Sequence, residues 1–391
     1  MTSSKEDIHA DVAPVIVIGP VLPFRGGIAQ HTTMLARAVK IEANVHVFSF
    51  KRLYPKWLYP GSSDRDSDLR DHHEAGVDYS LDSLNPMTWH RCAKQVVGMQ
   101  PAFALFPWWT FFLGPCFAYI SAYLRKENVE VIFFCHNVSD HEDKTWKRLI
   151  AKWVLGTGSR FVVHTKLDRQ NLIALHPSAE VVVHPHPIYE HFPEPRHLLP
   201  RRAKLELLFY GFVRPYKGLK VLLRALSQLR DMPVFLTVAG EFWDGYASVV
   251  AEVETLGITN QIEIRPGYHS DADTAELFER ADVVVLPYLS ATGSGVIPLA
   301  YHYRRPVIAT RVGGLPDVVV DRETGWLVDS GDALALAQTI RDIPNPVEPK
   351  MRRAIEEMSQ SLSWSSLAHV ILHEFRSAGA RQNQSQKAGP V

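Results

Sequence analysis

Between Asp282 and Pro316 the chain runs through an apolar β-branched segment, Val283–Leu286, and then Leu289-Ser290-Ala291-Thr292-Gly293-Ser294-Gly295. A short helical segment (296–303) follows, stopped by Pro306, then a second apolar run (306–310) and another glycine turn, Gly313-Gly314. An unbroken β-branched run suits a strand buried on both faces of a parallel sheet. A turn of small residues feeding a helix start presents unpaired backbone N–H groups and the positive end of the helix dipole, which together seat a phosphate. Glycines occur in many strand-to-helix turns, so this turn alone constrains the fold more than the ligand.

The same alternation extends along the chain. Strands are expected at 15–19, 45–50, 102–106, 131–135, 160–164 and 181–184, with helices between, the first ending near Val39. A long irregular piece, 51–81, rich in Tyr, Pro, Asp and His, interrupts them, and a loop of that length is usually functional or disordered. Its Asp64, Asp66 and Asp68 read as solvated charge rather than a metal site. Proline, histidine and arginine without periodicity mark a linker at 185–202. Strands then return at 205–210, 234–239, 261–264, 283–286 and 325–328, with helices at 218–229, 247–256, 272–280 and 333–341. Repeated strand–helix alternation predicts doubly wound parallel sheets. The expected division is a disordered leader (1–13), a first Rossmann-like domain (14–195), a second (203–362), a terminal helix returning to the first (363–376) and a disordered tail (377–391).

At 391 residues, the chain is long enough for two domains with separate cores. Lys plus Arg and Asp plus Glu both number 42, so no global field attracts nucleic acid. The cysteines, Cys92, Cys116 and Cys135, form neither a metal spacing nor a disulfide framework, which suits a reducing cytoplasm. The polar N-terminus lacks the apolar core of a signal peptide. Residues 101–124 are nearly free of charge and approach a membrane span in length, but Pro107, Gly114 and Pro115 divide them into a strand and a later helix. The expectation is buried structure, with Trp108, Trp109, Phe111 and Phe112 as candidates for contact with an acceptor or the inner face of a membrane. No dinucleotide fingerprint of the GxGxxG kind follows the first strand, which argues against a dehydrogenase.

Four segments, in order, carry a resemblance: Phe24-Arg25-Gly26-Gly27-Ile28-Ala29; the stretch 209–219 containing Arg214, Lys217 and Gly218; the stretch 290–316; and Glu323-Thr324-Gly325-Trp326-Leu327-Val328. Together with Leu362-Ser363-Trp364-Ser365-Ser366-Leu367-Ala368, they resemble the family-4 retaining glycosyltransferases, which have the GT-B architecture of two facing Rossmann-like domains. The resemblance implies transfer of a sugar from a nucleotide-diphosphate donor, UDP- or GDP-linked, to a glycan, lipid-linked or polysaccharide acceptor. It implies no cofactor and no metal.

This sequence departs from the family pattern in two places. The paired glutamates that usually flank the glycine turn are replaced by Ala291 and Leu299, neither of which can hydrogen-bond a sugar or ribose. The arginine that usually follows Gly211 is Phe212, with Arg214 two places later. The turn reads as that of a variant branch.

Departure of a nucleoside diphosphate builds negative charge on the leaving group, and fixed cations and dipoles there lower the barrier. On the resemblance, Lys217 and Arg214 supply the cations; the backbone of Ser294, Gly295 and Val296 faces the same diphosphate; Gly26 and Gly27 approach it from the other domain. Tyr268 and His269 fall where the nucleotide base is held, and His136, directly after a strand, hydrogen-bonds the sugar. The alternatives are a non-catalytic nucleotide-sugar binding protein, favoured by the missing glutamates, and a GT-B epimerase or phosphorylase.

Overall fold

The computed structural model describes residues 13–55, 64–65, 73–136, 138, 145–243, 245–344 and 346–374. They divide into two compact units. One runs to His184 and resumes at Trp364; the other is Pro185–Ser363.

The first unit carries β1 (Val15–Ile18), β2 (Val45–Arg52), β3 (Val77–Asp82), β4 (Phe103–Trp108), β5 (Val131–Cys135), β6 (Arg160–Val163) and β7 (Glu180–Val183). All pair parallel, in the order β3-β2-β1-β4-β5-β6-β7. Its helices are α1 (Gly27–Glu42), α2 (Pro86–Gly98), α3 (Gly114–Lys126), α4 (Thr145–Leu155) and α5 (Lys166–Leu175). Alternate residues of β4 serve opposite cores: Ala104 and Phe106 join one cluster, Phe103 and Leu105 the other. That is the period of two expected of a strand covered on both faces. A final helix over residues 364–374 contributes Trp364, Leu367, Ala368 and Ile371 to the second of these cores, against Val15 and Leu35.

The second unit holds α6 (Leu219–Ser227), α7 (Tyr246–Thr255), α8 (Asp271–Arg280), α9 (Val296–His302), α10 (Leu315–Val318), α11 (Ala333–Arg341) and α12 (Pro349–Ser361). Its strands are β8 (Leu205–Tyr210), β9 (Val234–Gly240), β10 (Ile262–Pro266), β11 (Val283–Leu286), β12 (Val307–Thr310) and β13 (Gly325–Val328), in the order β10-β9-β8-β11-β12-β13. Both sheets reverse winding direction beside their first strand, at β1/β4 and at β8/β11. Ligands of open α/β sheets bind outside the carboxyl ends of the strands at such points.

The structure differs from the sequence reading at β3, which forms where an irregular loop is expected. Its sequence, Val-Asp-Tyr-Ser-Leu-Asp, alternates on the edge of the sheet and lacks the continuous apolar run of a central strand. Asp66 and Asp68 lie outside the described residues, as do residues 1–12 and 375–391. The aromatic segment after β4 is also less open than expected. Trp108 is buried within the strand, and Trp109, Phe111 and Phe112 are half-buried against the same core. No described helix is long and apolar enough to cross a membrane.

Candidate active site

In the second unit, the turn after β8 and the loop after β11 are docked together by backbone. The amide of Leu289 donates to the carbonyl of Tyr216 at 2.7 Å. Gly218 ends the short 3-10 turn Pro215–Lys217 with a φ of 70°, and a Cβ there would lie 1.9 Å from the carbonyl oxygen of Pro287. Only glycine satisfies both the left-handed backbone and the close approach.

That turn delivers Lys217 inward. Its side chain is 8% exposed, and its ammonium lies 5.6 Å from the centre of the Tyr288 ring. A Cβ placed on Gly211 would meet Lys217 Nζ at 3.3 Å and Val296 Cγ2 at 3.8 Å, so the lysine tip and the start of α9 converge on the end of β8. Tyr288 reaches across the same loop, its hydroxyl 3.2 Å from Ser294 Oγ. Lys217, Ser294 and Val296 are thus gathered at the β8/β11 reversal.

Burial, and secondarily the charge of Arg214, lower the Lys217 ammonium from its ordinary value to about 8. No carboxylate among the described residues pairs with it. A buried cation without a counter-ion is costly, and an anion brought by a ligand would relieve that cost.

Arg214 stands beside it, its backbone carbonyl accepting from the amide of Lys217 at 3.0 Å. Its guanidinium lies 3.7 Å from the centre of the Trp243 ring, a cation–π contact. Phe212 packs edge-on against the same tryptophan. The aromatic pair therefore stations Arg214 just beyond the position the family pattern gives to arginine. Trp243 had no motif to mark it in the sequence.

The glycine turn is less open than its sequence implies. The amide of Val296 donates to Ser294 Oγ at 3.2 Å, so Val296 is engaged within the turn itself. Gly295 is exposed, and a Cβ there would come 2.9 Å from the hydroxyl of Tyr189. Ala291 and Leu299 are both buried in the apolar core. Tyr268 and His269 follow β10 on the far side of β8 and β9 from β11. Tyr268 is exposed, while His269 contacts the Arg265 carbonyl at 3.1 Å.

In the first unit, Gly26 caps α1 with a φ of 103°, and Gly27 begins that helix; both are exposed, and a Cβ on either would meet nothing within 4 Å. His136 directly follows β5, and its amide donates to the Trp108 carbonyl at 2.9 Å. It belongs to a cluster that sequence reasoning missed. His164, following β6, places Nε2 at 3.2 Å from His136 Nδ1, and His164 Nδ1 lies 3.2 Å from the backbone carbonyl of His184. A carbonyl only accepts, so a neutral His164 carries its proton on Nδ1 and accepts at Nε2. His136 then donates from Nδ1 and, when neutral, keeps its lone pair on Nε2. His31, buried on α1, stands edge-on to His136 with ring centres 4.4 Å apart. The signal available in sequence was one of position: two of these histidines follow adjacent parallel strands.

The ring nitrogens of His31, His136 and His164 lie within 4.8 Å of one another, the arrangement among the described residues that offers three metal ligands. Zinc bonds of about 2.0–2.1 Å bring tetrahedral ligands to roughly 3.4 Å of each other. The His136–His164 pair meets that separation, and it equally suits a hydrogen bond.

Residues 204–345 match the family model described as Glycosyl transferases group 1. A D-inositol 3-phosphate glycosyltransferase of Mycobacterium sp. (strain KMS) is 34% identical over 223 residues, covering 54% of this chain and 50% of that protein. The corresponding protein of Streptomyces coelicolor is 31% identical over 259 residues, covering 58% and 56%. The chain thus spans about half the length of these curated relatives. Sucrose-phosphate synthase from Thermosynechococcus elongatus superposes with a TM-score of 0.70 at 18% identity, over 94% of this chain and 100% of that one. Anabaena HepE in complex with UDP does so at 0.68 and 15%, over 93% and 100%. Residues 204–345 thus match the glycosyl transferases group 1 model, and the chain's two parallel-sheet units share the fold of the GT-B glycosyltransferase structures.

Proposed function

We propose that the chain is a retaining glycosyltransferase that moves a sugar from a nucleotide-diphosphate donor to a glycan, lipid-linked or polysaccharide acceptor at the inner face of a membrane. The observation that carries this reading is Lys217: a buried ammonium with no carboxylate beside it among the described residues, at the β8/β11 reversal and inside the matched family region. A diphosphate supplies the missing counter-charge, and the lysine neutralises the charge that grows on it as the glycosidic bond breaks. Arg214, stationed on Trp243, supports the same leaving group, and the exposed Gly295 lets the turn's backbone approach it. The same reading assigns Gly26 and Gly27 to the diphosphate, Tyr268 and His269 to the base, and His136 to the sugar through a hydrogen bond. Fold neighbours crystallised with UDP and UDP-glucose make UDP the first nucleotide to test. The relatives' inositol phosphate acceptor is a further acceptor class to assay.

A second reading, a nucleotide-sugar binding protein without turnover, is favoured by Ala291 and Leu299, whose buried apolar side chains stand in for the family's paired glutamates. Thermal shift with a panel of UDP- and GDP-sugars, followed by transfer and hydrolysis assays on any hit, tests both. Lys217→Met is expected to abolish the shift while leaving the protein folded. A shift without turnover on any acceptor supports the second reading, and an unaltered shift in the variant removes the first.

A further inference from the structure

Helices α2, α3 and α4 pack in succession, α2 on α3 and α3 on α4. Their charges are one-sided: Arg91 and Lys94 on α2, Arg125 and Lys126 on α3, and Lys147, Arg148 and Lys152 on α4, with no Asp or Glu on any of the three. In a chain of zero formal net charge, this is a local concentration.

The last of these helices also exposes apolar surface. Gly114 on α3 gives α4 its seat, since a Cβ there would press Ile150 and Val154 at 3.0 and 3.4 Å. Ala151, Val154 and Leu155 face the core. Trp146, Leu149 and Trp153, at i, i+3 and i+7, form a stripe on another face and are 53%, 63% and 55% exposed. Lys152, at i+3 from Leu149, borders that stripe, and Arg148 lies one turn before Lys152 on the same side of the helix. On α2, Met87 is 74% exposed beside Arg91 and Lys94.

Two exposed tryptophans and a leucine on one face, edged by lysine and arginine, match the chemistry of the boundary between lipid headgroups and acyl chains. Indole rings settle at that level, apolar side chains enter beneath it, and cations meet anionic headgroups. A protein partner of acidic character would pair with the cations but gives no reason for tryptophans to remain in water.

We propose that the α2–α4 face docks on an anionic bilayer, with Trp146, Leu149 and Trp153 entering the interface. The inference deepens the lipid-linked acceptor reading above, and vesicle binding is measured without donor so that each can fail alone. The test is co-sedimentation of the full chain with phosphatidylcholine vesicles, with and without about one-third phosphatidylglycerol. Binding is expected only to the anionic vesicles and is expected to weaken with salt. Trp146→Ser/Trp153→Ser should reduce it at least tenfold. Each of Arg148→Glu and Lys152→Glu should reduce it by about fivefold or more. Circular dichroism confirms that the variants are folded, and transfer to a water-soluble acceptor should be unchanged in all of them. Equal binding to neutral vesicles, no binding at low salt, or binding indifferent to these substitutions overturns the proposal. So does a variant-sensitive dimer in sedimentation velocity, which would assign the face to a second copy of the chain.

Discussion

His136 and His164 share one hydrogen bond, 3.2 Å from Nδ1 to Nε2, and its direction is decided by a third group, the His184 carbonyl at the end of β7. The tautomer of a neutral His136 is therefore set two contacts away, by a residue far away in sequence. Replacing His164 with Ala leaves His136 in place without its proton acceptor. Transfer is expected to fall about tenfold to a hundredfold, the order of loss seen when a hydrogen-bond partner that orients an imidazole is removed. His136→Ala is expected to cost at least about a hundredfold. The double variant should be no worse than His136→Ala alone, because His164 acts through it. Additive losses in single-turnover assays would show the two to be independent.

Donor affinity should depend on pH through Lys217. Its folded-state value lies below the ordinary 10.5, at about 8, so between these values the unfolded chain binds more protons. The stability of the ligand-free protein accordingly gains from Lys217 as pH rises from 8 towards 10.5. Donor binding has the opposite sign, since a diphosphate pairs only with the protonated lysine. Above pH 8 its Kd is expected to rise by up to about tenfold per pH unit, and in Lys217→Met this dependence should vanish. Calorimetric titration of UDP from pH 6.5 to 9.5 provides the measurement.

Chelation addresses the histidine trio. Dialysis against EDTA is expected to leave donor binding and transfer unchanged, because His136 and His164 share a hydrogen bond, His31 meets His136 through a ring contact, and in the function proposed above the diphosphate is met by Lys217 and Arg214. Loss of activity that zinc restores, with zinc retained by the wild type and lost in His31→Ala, would make these rings a metal centre.

Gly218→Ala tests the docking of the two loops. The added Cβ meets the Pro287 carbonyl at 1.9 Å and demands a left-handed backbone from alanine. Stability should fall by roughly 2–4 kcal/mol, read from the midpoint of urea unfolding. Donor binding should weaken as well, since this turn carries Lys217. Gly245→Ala, also at positive φ but with nothing within 4 Å of the new Cβ, should cost much less.

The alternation of apolar runs with helical segments was sufficient to read two doubly wound units, because a strand covered on both faces must be apolar throughout, and that property is local. Val283–Leu286 announces a central strand without reference to any neighbour. Edge strand β3 was illegible for the same reason: its residues alternate, and only the partner β2 identifies them as sheet. Lys217 and the Ser294 turn could be named from their order in the chain. Their convergence could not, since it depends on the parallel pairing of β8 with β11 and on a glycine pressed against Pro287. His31, His164 and Trp243 carry no motif at all. A hydrogen-bond direction, a cation–π seat and the charge cost of a buried lysine are properties of distances between residues remote in sequence, and those distances come into being only when the chain folds.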